Sequence, residues 1–418
     1  MNKLTMFHIG DVHYPDLKGQ TIADEKDKGL DGQLMDKISP DPLTLVMKNL
    51  AEQSNKCSEE CLFLLSGDIT SKGDEENYKV FVENLNELLL LDRDISRIHV
   101  VPGNHDIKQE LVEQNQQYTH MIETWNTVCE DYTILAHDSV REEIISMGEN
   151  TEITVFSLNT CVGCGGKRKI VGELKSQMLK SYKSETTKVH DLYEKLDTPA
   201  VDTSHLDDIV FSINKASRGK NIPVILAHHN LLPQRDPRIE IYTELINSGS
   251  MREYLLEANG PLLLCHGHIH DDPIEIVTSP QGKGAVIILS APEIIKGFNS
   301  ITFFVGKKGY FLGCIVEHHR LKRGGGVFVE ASYSIPFCQP SDFFTKGDER
   351  ISECLGGLQC NKLERGSDYL NRLKTERVNY QKKTVQEVLE EAMWFGLVDI
   401  TNKDKVEFDD WHIKKVVP

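Results

Sequence analysis

The sequence predicts an α/β layered fold with a small C-terminal extension, and three observations lead there. Short apolar runs recur along the chain, and each stops abruptly at Asp, Asn or His. Segments with helical spacing separate these runs, and strand alternating with helix is the pattern of an α/β layered architecture. From roughly Ala285 the texture changes to consecutive apolar runs joined by Gly-rich turns.

Met6 to Ile9 runs into Gly10-Asp11-Val12-His13, Leu62 to Leu65 into Ser66-Gly67-Asp68, and Ile98 to Val101 into Pro102-Gly103-Asn104-His105-Asp106. Val224 to Ala227 meets His228-His229, and Leu262 to Cys265 meets His266-Gly267-His268-Ile269-His270. Apolar runs this short, bounded by Gly and Pro, read as buried strands. In α/β sheets, ligands gather at the carboxyl ends of strands, where each of these polar clusters falls. Asp41-Pro42 opens a helical segment with Leu43, Val46, Met47 and Leu50 on one face. Asp74-Glu75-Glu76 opens another, its acidic first turn matched to the helix dipole, with Val80, Phe81, Leu85, Leu88 and Leu89 inward. A third runs from Thr203 to about Ala216 on Leu206, Ile209, Val210 and Ile213.

Ala285 to Leu289, Ile301 to Val305, Tyr310 to Val316 and Val327 to Tyr333 are expected to be consecutive antiparallel strands. Beyond about Pro340 the chain turns polar, with Val385, Val388, Leu389 and Met393 at helical spacing. The expected division is a main domain over 1–340 and a helical extension over 341–418, with Trp394, Phe395, Leu397 and Val398 packing back on the main domain.

A chain of 418 residues can bury a substantial core, and 39% apolar with 27% charged residues excludes a disordered one. No apolar run reaches the roughly 18 residues that span a bilayer. Met1-Asn2-Lys3 leads straight into the first strand without signal-peptide features, so the cytoplasm is the expected location. The ten cysteines are then expected to be reduced. Cys57, Cys61, Cys129, Cys265 and Cys314 sit among apolar neighbours and act as small hydrophobes. Cys161-Val162-Gly163-Cys164 is a lone CxxC with no second pair or histidine close by in sequence, and it reads as a flexible loop beside Gly165-Gly166-Lys167-Arg168-Lys169. The net charge of −17 repels the nucleic-acid backbone and disfavours stable duplex DNA binding, but it does not exclude a small phosphate substrate.

Asp11, His13, Asp68, Asn104, His105, His228, His229, His268 and His270 form a set of nitrogen and oxygen donors without thiolates. Such a set suits manganese, iron, zinc or cobalt, and its size suits two ions. Asp11 and His13 are expected to alternate along an extended segment and turn toward one ion. The two oxygens of Asp68, at a tight turn, are placed to bridge two ions, and His268 and His270 each to face a different one. Asn104 offers a neutral carbonyl oxygen. Asp11 and Asp68 offset only part of about four positive charges, so the centre stays attractive to phosphate. A bridging water, acidified by both ions, is the expected nucleophile. His105 is expected to protonate a leaving oxygen, with Asp106 orienting that imidazole. Each fragment alone has an ordinary reading as a turn or a satisfied core histidine; their recurrence at strand ends is what argues for a site.

The order Asp11-Val12-His13, Gly67-Asp68, Gly103-Asn104-His105-Asp106, His228-His229, Gly267-His268-Ile269-His270 resembles the signature of the calcineurin-like metallophosphoesterases. The resemblance covers about residues 5–320 and implies two facing mixed β-sheets flanked by helices. It implies one ion held by Asp11, His13, Asp68 and His270, and a second by Asp68, Asn104, His228 and His268, with His105 contacting the phosphate or leaving group. Manganese is the first expectation for both.

The family's serine/threonine phosphatases carry an arginine shortly after the Gly-Asp turn, and Gly67-Asp68-Ile69-Thr70-Ser71-Lys72-Gly73 lacks it. The chain is more similar to the class III cyclic-nucleotide phosphodiesterase branch, so a cyclic nucleotide, another small diester or a nucleic acid is the expected substrate. Two departures stand out. Asn230-Leu231-Leu232 follows His228-His229 where Pro-Pro is frequent, which leaves His228 as the expected ligand and His229 without a role. Residues 163–200 are longer and more charged than that branch usually has, and they or 341–418 are candidate docking surfaces for a protein partner. The alternative enzyme is a partner-dependent nuclease of the same superfamily, with Lys167-Arg168-Lys169 or His318-His319-Arg320-Leu321-Lys322-Arg323 touching phosphates. A metal-free binding scaffold is the non-enzyme alternative, although no ligand position is missing.

Overall fold

The protein is described here by a computed structural model. It describes residues 2–14, 42–57, 61–71, 73–89, 98–108, 111–112, 116–128, 140–148, 151–162, 164, 199–201, 203–215, 219–233, 245–270, 274–281, 284–322, 325–356, 358, 360, 362–376, 378, 380–402 and 407–416. Lys167-Arg168-Lys169, Cys129, Arg323 and most of 163–200 lie outside the described residues.

β1 (Asn2–Ile9), β2 (Cys61–Leu65) and β3 (Ile98–Val100) are parallel neighbours. β10 (Gly297–Val305), β11 (Phe311–Leu321) and β12 (Val327–Pro336) extend this sheet antiparallel from the other side of β1, giving the order β12-β11-β10-β1-β2-β3. The second sheet has the order β4-β5-β6-β7-β9-β8. Its parallel centre is β5 (Thr151–Leu158), β6 (Asn221–Leu226), β7 (Pro261–His266) and β9 (Ala285–Ser290). Its antiparallel edges are β4 (Val140–Gly148) and β8 (Ile274–Thr278).

Residue alternation explains why the inner strands read as unbroken apolar runs. Val224, Leu226, Leu263, Cys265, Ile287 and Leu289 join Met6, Leu62 and Leu64 of the first sheet in one core. Their sequence neighbours Ile225, Leu262, Leu264, Val286 and Ile288 face the other way, against α4 (Thr203–Lys215) and α5 (Ser248–Leu256). Strands buried on both faces need apolar residues at every position. α1 (Pro42–Lys56), α2 (Glu75–Leu89) and α3 (Thr119–Val128) pack beside the first sheet, where α1 contributes Val46, Met47 and Leu50 and α2 contributes Phe81 and Leu85 to the core.

Two expectations need correction. Ala285 to Leu289 is not part of the antiparallel series: it is β9, parallel to β7 in the second sheet, and only from Gly297 does the chain enter the first sheet. The segment 341–418 is not simply helical. α6 (Arg350–Leu355), α7 (Gly366–Thr375) and α8 (Lys382–Trp394) pack with a small sheet of order β13-β15-β14, formed by Leu363–Arg365, His412–Lys415 and Val398–Thr401. Strands of three or four residues are too short to show a period of two.

This extension packs on the sandwich through Phe304 and Leu312, which lie in its core cluster with Trp394, Phe395, Leu397 and Val398. The Trp394 and Phe304 rings are 5.1 Å apart. Gly313 is needed there, because a Cβ would meet Trp394 and the Ile335 carbonyl at 2.5 Å. Trp394→Ala is expected to cost about 3–5 kcal/mol of stability in urea unfolding. A loss below about 1 kcal/mol would show that this contact does not hold the two units together.

Candidate metal centre

The carboxyl ends of β1, β2, β6, β7 and β9, and the loop after β3, meet at one end of the sandwich. The turns are locked to one another by backbone bonds: Asp11 N–H to Gly67 O, His13 N–H to Asp68 O, Val101 N–H to Leu65 O and Gly267 N–H to His228 O. Asp11, His13, Asp68, His268 and His270 all have positive φ, between 49° and 67°. Asp11 and His13 are therefore not on an extended segment; each sits in a left-handed turn. That conformation costs a non-glycine residue about 1–3 kcal/mol, so the surrounding bonds must hold it.

Glycines make the close approach possible. A Cβ on Gly103 would lie 2.0 Å from Asp68 Oδ1, and one on Gly267 would lie 2.6 Å from Asp11 Oδ2. In their absence the carboxylates tuck against the backbone. The His268 N–H donates to both Asp11 oxygens, at 2.9 and 3.0 Å, and the His105 N–H donates to Asp68 Oδ1 at 2.9 Å.

The remaining atoms face one another. Asp68 Oδ2 is 3.3 Å from His228 Nε2 and 3.9 Å from His13 Nε2. It is this one oxygen, not the pair, that looks toward both groups, since Oδ1 is engaged with His105. His228 Nε2 also lies 2.9 Å from Asn104 Oδ1, while its Nδ1 is 2.7 Å from the Ser66 carbonyl. His270 Nε2 is 3.2 Å from Asp11 Oδ1, and its Nδ1 is 2.8 Å from Glu293 Oε1. His268 lies beside His228 and His229, with ring centroids 5.1 and 4.6 Å away, whereas His270 lies 5.6 Å from His13. The two histidines of Gly-His-Ile-His thus turn to opposite sides. Asp11, His13 and His270 form one set of donor atoms within 4.8 Å of one another; Asp11, Asp68 and His228 form a second; His228, His229 and His268 a third; and His13, Asp68 and His105 a fourth.

Burial alone would raise the pKa of both carboxylates. The hydrogen bond and charge of His270 instead hold Asp11 below its ordinary value, and the charge of His228 holds Asp68 well below. Burial would lower His228, but Asp68 holds it well above the usual imidazole range. His270 rises to about 9 against the effect of burial, through hydrogen bonds to Asp11 and Glu293. Burial and the His228 charge push His268 down to about 3. The two raised imidazoles, His228 and His270, lie beside the acceptor oxygens of Asp68, Asn104 and Asp11. The donor set fits divalent ions of the first transition row: imidazoles and carboxylates at mutual distances of 3.2–3.9 Å, with rings oriented from behind by Ser66 and Glu293.

Asp106 does not orient the His105 ring. Its buried carboxylate accepts the Thr70 N–H at 2.9 Å and the Gly103 N–H at 3.0 Å, and so braces the two turns that present Asp68 and Asn104. Burial and the nearby Asp68 raise its pKa to about 7. His105 Nδ1 lies 2.9 Å from the Ser71 carbonyl instead. Glu293 escaped the sequence reading. It follows the apolar run of β9, so the pattern that marked the other strand ends could have found it.

A mixed α/β sandwich with a carboxylate and imidazole centre at its strand ends is the construction of a metallohydrolase. The chain belongs to the calcineurin-like phosphoesterase family, whose sequence model matches residues 4–272, and it is a hydrolase of phosphoric esters. No curated protein matches it. Among solved structures it is similar to a dimetal phosphatase from Danio rerio, at 12% identity and a TM-score of 0.47, covering 81% of this chain and 100% of that one. It is also similar to a 5'-nucleotidase precursor from Thermus thermophilus, at 13% identity and a TM-score of 0.40, covering 87% and 62%. The NAD nucleotidase of Haemophilus influenzae gives 12% identity and a TM-score of 0.36, covering 94% and 60%. The chain thus spans about three-fifths of each of these two nucleotidase chains. Among the described residues, no helix is long and apolar enough to cross a membrane.

With the His270 imidazole raised to about 9 by Asp11 and Glu293, binding of a divalent ion such as Mn2+ through that ring would release its proton at neutral pH. Calorimetric titration in buffers of different ionisation enthalpy at about pH 7.5 is expected to show this release, declining as pH rises through about 9. Glu293→Gln removes one source of the raised pKa, so it should release less proton and weaken Mn2+ binding by about 10–100-fold. Unchanged affinity and proton release would show that Glu293 does not act on His270.

Proposed function

We propose that this chain is a phosphodiesterase working with two divalent ions, manganese foremost, with iron, zinc and cobalt as the other candidates. One ion is held by Asp11, His13, Asp68 and His270; the other by Asp68, Asn104, His228 and His268. The observation that carries this reading is Asp68 Oδ2, which lies 3.3 Å from His228 Nε2 and 3.9 Å from His13 Nε2 and so faces both sets of donors. When bound, such ions acidify water to give a nucleophile near neutral pH and polarise the phosphoryl oxygens.

The chain's own residues do the rest. Asp11 and Asp68 would offset only part of the roughly four positive charges of two ions, so the loaded pocket would attract the phosphate anion. His105 donates Nδ1–H to the Ser71 carbonyl, which fixes the plane of the ring and makes Nε2 the atom that passes a proton to the leaving oxygen. Asp106 holds the Gly103 turn, and through it the His105 N–H on Asp68.

A diester is favoured over a monoester by charge. Lys108 and Lys296, described cations of the loops that build the site, are bound to Glu75 at 2.7 Å and Glu293 at 3.0 Å. Among the described residues these two lysines already face carboxylates, which favours an ester of lower charge. The acidic balance of the chain favours a small diester over a long nucleic acid.

With added Mn2+, bis-p-nitrophenyl phosphate is expected to be cleaved faster than p-nitrophenyl phosphate. His105→Ala should lower kcat on the diester by about 10²–10⁴-fold. Asp68→Ala should abolish turnover together with metal binding. A preference for the monoester would overturn the diesterase reading, and silence on both esters in a protein loaded with two ions would replace it with the partner-dependent nuclease.

A further inference from the structure

We propose that Cys161, Cys164 and His229 form a third metal site, adjoining the carboxylate and imidazole centre through His229 and suited to a thiophilic divalent ion such as zinc. One ligand atom from each of the three lies within 4.8 Å of the others, and all three side chains are buried. The CxxC lacks a partner in sequence only because its histidine arrives from another strand. Cys161 follows β5 and His229 follows β6, and the two strands are parallel neighbours in the second sheet.

Hydrogen bonds shape the described residues of this CxxC. Cys161 N–H donates to Asn159 Oδ1 at 2.9 Å, and Cys164 N–H donates to the Cys161 carbonyl at 3.0 Å, closing a tight turn. That turn points both sulfurs to the same side. Neither is in a disulfide. His229 Nδ1 lies 4.0 Å from Cys161 Sγ and 2.9 Å from Thr160 Oγ1, so it is the ring nitrogen that faces the cysteines.

Two sulfurs on tetrahedral zinc, each at about 2.3 Å, are about 3.8 Å apart. Ligand atoms within 4.8 Å of one another are within about 1 Å of that spacing. Three protein donors leave a fourth position, as on a zinc that keeps a water. The ligand type also separates this site from its neighbour. Thiolates select zinc and other soft ions, whereas the oxygen-rich centre accepts manganese. An ion here would pin the end of β5 to the peptide that carries His228, and so brace one ligand of the main centre from outside it.

The test uses the full chain, reduced, stripped with a chelator and titrated with Co2+. Sulfur-to-cobalt charge-transfer absorption in the near ultraviolet is expected on saturation, and it should vanish in Cys164→Ser and separately in Cys161→Ser. Zinc-grown protein should lose one metal per chain in either variant, while turnover of the diester with Mn2+ persists. The main centre has no sulfur ligand, so its failure or success is read independently from activity. Wild-type protein saturated with Co2+ but lacking the sulfur band would overturn the site, and that result needs no variant to fold. A band that survives both substitutions would also overturn it. So would a Cys161–Cys164 disulfide found by mass spectrometry in metal-replete protein purified without reductant.

Discussion

Two buried carboxylates, Asp11 and Asp68, are the constraint around which the end of the sandwich is built. Burying an ionised carboxylate is unfavourable unless it is paired and hydrogen-bonded. Here each has one face turned to backbone N–H groups, of His268 or His105, and the other to imidazoles. Everything nearby follows from satisfying these charges. The histidines gather where the negative charge is, their far nitrogens are tied to Ser66 and Glu293, and Asp106 holds the turns that deliver the N–H donors.

The same constraint accounts for the backbone strain. Parallel strands end side by side, so their next residues must turn sharply to aim at a common point. Left-handed turns at Asp11, His13, Asp68, His268 and His270 do this just beyond the strand ends. Gly103 and Gly267 remove the side chains that would occupy the carboxylates' positions. Strain held by a surrounding hydrogen-bond lattice preorganises donors before any ion arrives, so less ordering is needed at the moment of binding than for a loose loop.

The strands that form the site were legible because burial on both faces leaves an unbroken apolar run, and the functional residues stop it. The two edge strands of the second sheet lack that signature. Val140-Arg141-Glu142-Glu143-Ile144-Ile145 in β4 and Ile274-Glu275-Ile276 in β8 are half exposed and carry charge, so neither stood out. The donors themselves were legible from residue type and order, but their geometry was not. Nothing in Asp-Val-His distinguishes an extended segment from a left-handed turn, and adjacency of His105 and Asp106 does not reveal that their side chains serve different turns. The meeting of His229 with Cys161 depends on which strands are neighbours, which sequence order alone does not show.

The central claim is that one carboxylate, Asp68, joins two ions. Electron paramagnetic resonance of the chain loaded with Mn2+ tests it most directly, because two manganese ions that share a bridging ligand are exchange-coupled and their spectrum differs from that of isolated ions. Two ions per chain with a coupled spectrum are expected, and the coupled spectrum should be lost in Asp68→Ala. A single ion per chain at saturation, or two ions with the spectrum of isolated manganese, would contradict it.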